Sequence, residues 1–369
     1  MQVEGMRAIA ALVVFVNHAY AQVWNPQHGR HPVGILSAFS YFLVAGHLSV
    51  TVFIVISGFC LTLPVVRTGE LRGGMLEFLK RRARRILPPY YGALVLCLAL
   101  IATVIGEPTG TLWDVPVLAD SAAVLSHVLL LQDLFGTGSI NYVFWSIAVE
   151  WQIYFLFPLL VWGFRRYGER WTVAAAMITG YAIRFAFGST RIARISPHFL
   201  GLFALGMVAA YVTQSPRLEY VRARKSHLWW WAGGISLAVA AGLTVTWGIG
   251  ASIERFHLLD LPIGIAALSS LVLGQQAKQN ALGRILSWRP LVVVGTFSYS
   301  VCLVHAPLLQ ILWQYGFHPA GVGDEVTFFS LLTLGLTVVL AGAYLFFRIF
   351  EQPFMKSARR RVEPAVAAT

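Results

Sequence analysis

The chain has 369 residues, 57% of them hydrophobic and only 12% charged, with a mean hydropathy of +0.68. Soluble domains carry about 25% charged residues, so a water-soluble globular fold, which could not cover its own surface with this composition, is excluded. The formal charge of +12, from 28 basic against 16 acidic residues, would suit nucleic acid, but Lys and Arg recur in alternate loops, which is a topology signal and not a binding face.

Ten apolar stretches are long enough to cross a hydrocarbon core of ~30 Å. They are predicted at 3–24, 43–63, 88–106, 142–162, 171–187, 197–213, 229–248, 258–274, 291–313 and 325–350. In lipid the backbone must satisfy itself, so the expected fold class is all-α, a polytopic membrane bundle of about ten transmembrane helices. No internal repeat, linker or low-complexity block divides the chain. One transmembrane domain is expected over 1–355, followed by a basic cytoplasmic tail at 356–369.

The first stretch carries Arg7 and His18. Eleven residues of helix turn the chain about three times, so both side chains point the same way, about 16 Å apart along the axis. They either line one channel or sit separately as a snorkelling arginine and an interfacial histidine. Ala19-Tyr20-Ala21 looks like a signal cleavage site, but Glu4 precedes a single Arg7 and no basic region leads in, so the span is expected to stay uncleaved. In the second stretch Ser57-Gly58 permits close backbone approach or a helix break.

Between the second and third stretches lies a basic cluster, Lys80, Arg81, Arg82, Arg84 and Arg85, leading into Pro88. It suits anchoring to anionic lipid, and it also suits capture of a phosphate-bearing ligand, because Arg forks match phosphate oxygens. The connection 107–141 contains Ser121–Phe135, too short and polar-flanked to span, and therefore re-entrant or interfacial.

The fourth stretch puts Ser146, Glu150 and Tyr154 at i, i+4 and i+8, a polar stripe on one helical face. Glu150 is expected at a depth similar to His18, so a histidine–carboxylate pairing is allowed; a structural role in the bundle is the alternative. The ninth stretch carries Tyr299 and, toward its outer end, His305. Cys60, Cys97 and Cys302 all fall inside predicted spans without metal or disulfide spacing, and no metal site is expected.

Most basic residues fall on one side: the loops 64–87, 163–170 and 214–228, the segment 278–289 and the tail. That side is expected to be cytoplasmic, with both termini inside and the chain in the plasma (inner) membrane.

Six pieces in this order resemble the acyltransferase-3 family of membrane O-acyltransferases over about residues 3–355. They are Glu4 to Leu12 with Arg7 and His18, Phe53 to Phe59, Arg82 with Arg85 and Pro88, Trp145-Ser146 with Glu150, Ser298-Tyr299-Ser300 with His305, and Glu351 with Pro353. The resemblance implies an enzyme with ten core helices that moves an acyl group, acetyl or another short chain, from cytosolic acyl-CoA to a hydroxyl of a sugar-containing acceptor: a glycan, a glycolipid or a macrolide-type metabolite. It implies His18 as the catalytic residue, with Glu150 as its partner. Arg7, Arg82 and Arg85 would bind acyl-CoA, and Ser57, Ser146, Tyr299 and His305 would line the cavity. Acyl-CoA is a co-substrate, and no cofactor or nucleic acid is implied. The stretch Gly46 to Val66 looks closer to the macrolide-type branch, and no appended SGNH-type domain is expected.

Two positions depart from the family pattern: Thr51 stands where many relatives have an acid, and Phe53-Ile54 where they have an aromatic pair. The absent acid leaves Glu150 as the expected carboxylate. A transporter or flippase for a glycolipid or drug-like molecule would also line a central path with polar residues, but its usual inverted repeat is missing.

Overall fold

The computed structural model describes residues 1–25, 30–114, 120–137, 139–188, 190–215, 218, 226–275 and 280–355, apart from the side chains of 39 and 42–45. The predicted tail 356–369 lies outside them, as do Arg217, Arg222, Arg224, Lys225 and Lys278 of the predicted cytoplasmic loops.

The described residues form helices and no strand. In chain order these are α1 (Gln2–Val23), α2 (Ile35–Leu43), α3 (Leu48–Thr68), α4 (Gly74–Thr103), the short α5 (Ser121–Val128) and α6 (Gln132–Phe135), α7 (Phe144–Tyr167) and α8 (Glu169–Ala186). After the single turn α9 (Arg191–Arg194) come α10 (Phe199–Gln214), α11 (Ser226–Glu254), α12 (Phe256–Gly274), the short α13 (Ala281–Leu286) and α14 (Arg289–Thr296), α15 (Ser298–Phe317) and α16 (Asp324–Met355). Among the described residues eight helical runs are long and apolar enough to cross a membrane, and the α14–α15 pair, broken at Phe297, makes a ninth if it is one span. The protein is a multi-pass membrane protein. The predicted span 171–187 is helical as α8, but the 18 residues of that helix include Glu169, Arg170 and Arg184, more charge than each of the eight runs carries over its most apolar 18 residues.

Helix ends differ most around the basic cluster. The sequence predicts a loop over 64–87 and a helix starting at Pro88. Instead α3 runs to Thr68, where Gly69 caps it with φ 77°, and α4 starts at Gly74 and continues through Pro88 and Pro89 for 30 residues. The basic residues therefore stand on the first turns of a helix. Prolines at 88 and 89 leave the carbonyls of Arg84 and Arg85 without their intrahelical donors.

Two compact units divide the chain. One comprises Met1–Asn17, Pro32–Arg72 and Val149–Thr296; the other comprises His18–His31, Gly73–Ala148 and Phe297–Thr369. Within the first, α10 packs closely against α3. Lipid supplies no hydrophobic force between helices, so association rests on shape and polar contacts. Gly58 and Gly206 meet this need: a Cβ on Gly58 would overlap the Phe203 carbonyl oxygen, and one on Gly206 would overlap that of Val55. Within the second, α15 packs on α16. Three π-helical segments interrupt this pair, Leu312–Phe317 in α15 and Leu331–Gly335 and Phe347–Glu351 in α16.

Candidate active site

In the second unit His18, from the last turns of α1, meets His305 of α15. His18 Nδ1 lies 2.7 Å from His305 Nε2, with the ring planes 4° apart. His305 Nδ1 is 2.9 Å from the Val301 carbonyl oxygen one turn earlier. That oxygen can only accept, so Nδ1 of His305 carries the proton, and in the neutral ring Nε2 is a bare acceptor. His18 must then donate from Nδ1, which leaves its own Nε2 with a free lone pair. His305 is 1% exposed, whereas His18 is only half-buried. One turn further along α1, Gln22 Nε2 donates to Gln310 Oε1 at 2.6 Å, and Thr111 Oγ1 donates to the same oxygen at 2.9 Å. Two rungs thus fix the register of α1 against α15.

A proline shapes the surroundings of this pair. Pro307 has no N–H, so the Leu303 carbonyl four residues earlier loses its helical partner. Asn141 Nδ2 donates to that carbonyl at 3.2 Å, and Asn141 Oδ1 accepts from the Val143 backbone N–H at 3.2 Å. Asn141 is thereby tied to α15, and the next residue, Tyr142, packs edge-on against His18 with ring centroids 4.9 Å apart. Trp113 also packs edge-on against Tyr142, 6.2 Å between centroids. Tyr299 Oη donates to the Ile86 carbonyl at 3.2 Å, and Ser300 Oγ donates to Glu351 Oε2 at 2.6 Å, joining the two C-terminal motifs.

Arg82 and Arg85 share the face of α4 that buries Phe78, Ile86, Pro89 and Tyr90; both are part-buried, and Arg84 is exposed. Within the same unit the connection 107–141 is pinned to α4. Tyr90 Oη donates to the His127 carbonyl at 2.9 Å, and Tyr91 Oη to that of Val128 at 2.8 Å. His127 is buried with Nδ1 on the Ala123 carbonyl (2.7 Å) and Nε2 accepting from the Ile140 N–H (3.4 Å). Burial pushes this imidazole below its ordinary pKa range, in keeping with the neutral tautomer those two partners require.

The first unit holds Arg7, Ser57 and Glu150. Arg7 bonds Glu4 one turn back at 3.3 Å and reaches Cys60 Sγ at 3.7 Å. The first turn of α1 is held by close backbone approach: a Cβ on Gly5 would overlap the Leu286 carbonyl oxygen, and one on Gly295 that of Glu4. On α7, Tyr154 Oη donates to Glu150 Oε1 at 2.6 Å, so Ser57 Oγ, 3.2 Å away, donates to Tyr154. Ser146, the first member of the predicted stripe, falls in the second unit, where it donates to the Val143 carbonyl at 3.0 Å. Thr51, where the family pattern has an acid, donates to Asp260 at 2.5 Å, and His198 Nε2 lies 2.9 Å from the other carboxylate oxygen. A carboxylate therefore does stand against position 51. Sequence reasoning passed over Asp260, although an acid inside the predicted span 258–274 was the signal for it. Tyr142, Gln22 and Gln310 were missed for lack of any local signal. Among the described residues no three His, Cys, Asp or Glu side chains gather to hold a metal ion.

Residues 2–348 match the acyltransferase domain that defines the acyltransferase-3 family. The O-acetyltransferase OatA of Staphylococcus aureus is 24% identical over 374 residues, covering 96% of this chain and 57% of OatA. Nodulation protein 10 of Rhizobium leguminosarum bv. viciae is 25% identical over 389 residues, covering 95% of this chain and 92% of its own length. The chain thus spans little more than half the length of the OatA that it matches. No solved structure matches it.

Proposed function

The chain belongs to the acyltransferase-3 family, and on that premise we propose that it is a membrane O-acyltransferase moving an acetyl or other short acyl group from acyl-CoA to a hydroxyl of a sugar-containing acceptor. The observation that carries this reading is the His18–His305 pair. Its hydrogen bonds leave His18 Nε2 as an unprotonated base on a half-buried ring. Acyl transfer to a hydroxyl needs such a base, and positioned proton transfer contributes roughly 10²–10⁴-fold.

In the proposed reaction Nε2 of His18 takes the acceptor's hydroxyl proton while the oxygen attacks the thioester carbonyl. The tetrahedral intermediate collapses, expelling the CoA thiolate, which takes the proton back from the imidazolium. Ester and CoA thiol are the products. His305 Nε2 accepts from His18 Nδ1 throughout and orients the ring. Arg82 and Arg85 hold the CoA phosphates, Arg7 takes part in binding acyl-CoA, and the Glu150 carboxylate orients the acceptor. The family's O-acetyltransferase relatives support the acyl group and the ester product. The basic loops support an inner-membrane orientation with both termini cytoplasmic, a domain over 1–355 and a basic tail after it.

The test is CoA thiol release by detergent-purified protein given acetyl-CoA, with and without hydroxyl acceptors. Acceptor-dependent release that disappears in His18→Ala, with the variant still folded, is the expected result. Acceptor-dependent release surviving at a tenth of wild type or more in His18→Ala removes His18 from its role. No release from wild type with any acceptor removes the acyl-CoA reading.

A further inference from the structure

A tetrahedral intermediate places negative charge on the former carbonyl oxygen, and acyl-transfer sites answer it with a hydrogen-bond donor aimed there. Resting on the acyl-transfer reading, that requirement can be set against the donors around His18. His18 Nδ1–H is engaged by His305, and His305 Nδ1–H by the Val301 carbonyl. The Asn141 amide is engaged by Leu303, the Gln22 amide by Gln310, and Trp113 Nε1–H by the Ile105 carbonyl at 3.1 Å. Tyr142 differs. Its ring contacts His18, and its hydroxyl is buried with no hydrogen-bond partner among the described residues. Gln22 Oε1 is also buried and unpartnered, but it accepts only and cannot stabilise an oxyanion.

A buried hydroxyl without a partner is unfavourable and uncommon in folded proteins. Here it is held in place by Asn141, through the carbonyl that Pro307 leaves open. We infer that Tyr142 is a catalytic residue whose Oη–H donates to the oxyanion formed from the thioester carbonyl while His18 Nε2 holds the acceptor's proton. The donor class is an acyl thioester. As the acceptor oxygen bonds to the carbonyl carbon, the π pair moves to oxygen and is stabilised by Tyr142. When that pair returns, the C–S bond breaks and the thiolate leaves with the proton from His18. Tyr142 donates a hydrogen bond without losing its own proton, so the step balances with no further reagent.

Tyr142→Phe tests the inference cleanly, because it removes only an oxygen that has no bond to lose. The variant should retain or slightly raise its thermal midpoint, keep its KM for acetyl-CoA and acceptor within about twofold, and lose kcat by roughly 10²–10³-fold, the range for one oxyanion donor. The shape of its pH–rate profile should match wild type, since His18 still supplies the base. A kcat within twofold of wild type per folded molecule overturns the proposal whatever happens to the midpoint. So does a loss that appears wholly in KM. If wild-type protein releases CoA and Tyr142→Phe matches it, this inference fails and the acyl-transfer reading stands; if wild type releases none, both fail.

Discussion

The partner of His18 can be tested by replacing His305 with a ring that fills the site but cannot accept. In His305→Phe the His18 Nδ1–H, now 2.7 Å from an imidazole nitrogen, has no acceptor. Leaving this part-buried donor unsatisfied costs about 1–3 kcal/mol where water does not replace the acceptor. The ring can escape that cost only by moving its proton to Nε2 or by turning, and either change removes the free base. At 1.36 kcal/mol per tenfold, the population of the competent tautomer, and with it kcat, should fall by about 5- to 150-fold. His305→Gln offers an amide oxygen near the position of Nε2 and should recover part of the loss. The assay is CoA release at saturating acetyl-CoA and acceptor, per folded protein as judged by size-exclusion and thermal melt. If His305→Phe turns over at the wild-type rate, or if Phe and Gln fall equally at equal fold, the tautomer argument is wrong.

Three further outcomes are expected. Arg82→Ala with Arg85→Ala should raise the KM for acetyl-CoA at least tenfold while that for the acceptor stays nearly constant, because charge-assisted bonds to phosphate are lost before the chemistry; steady-state kinetics against each substrate decides, and equal movement of both constants leaves the arginines as anchors. Glu150→Gln still accepts from Tyr154 but loses the carboxylate charge, so its melting point should hardly move while kcat drops tenfold or more if that charge serves the acceptor; a lowered melting point with normal turnover would make Glu150 structural. Gly206→Ala should destabilise by about 1–3 kcal/mol through overlap with the Val55 carbonyl, whereas Gly234→Ala on α11, where a Cβ meets open space, should be neutral or stabilising by up to ~1 kcal/mol. Thermal melts of the two in one detergent are the comparison.

The membrane helices were legible because composition alone dictates them. Their ends were less so at α3 and α4, where Arg and Lys mark a loop on hydropathy yet are good helix formers that continue the turn. The shared face of Arg7 and His18 follows from their spacing within one helix. The partnership of His18 with His305 does not: it joins positions 287 apart in sequence, and no periodicity within either helix specifies which neighbour it will meet. The same holds for Tyr142, whose environment depends on Asn141 reaching another helix. Asp260 is different, since an acid inside the predicted span 258–274 is readable from the sequence; only its partners, Thr51 and His198 in other segments, are not.

The open carbonyl of Leu303 has a consequence for how this sequence can change over time. Pro307 removes a backbone donor and Asn141 supplies a side-chain one, so neither residue is at home without the other. Replacing Pro307 lets the helix reclaim its carbonyl and strands a buried amide; replacing Asn141 strands the carbonyl in a setting without water. Changing both gives the Leu303 carbonyl back its helical donor but takes Asn141 Oδ1 from the Val143 N–H and releases the turn that carries Tyr142. The pair therefore forms a valley that single substitutions must cross downhill first. A lineage emerging on the far side would regain stability while having lost the constraint that seats Tyr142 against His18.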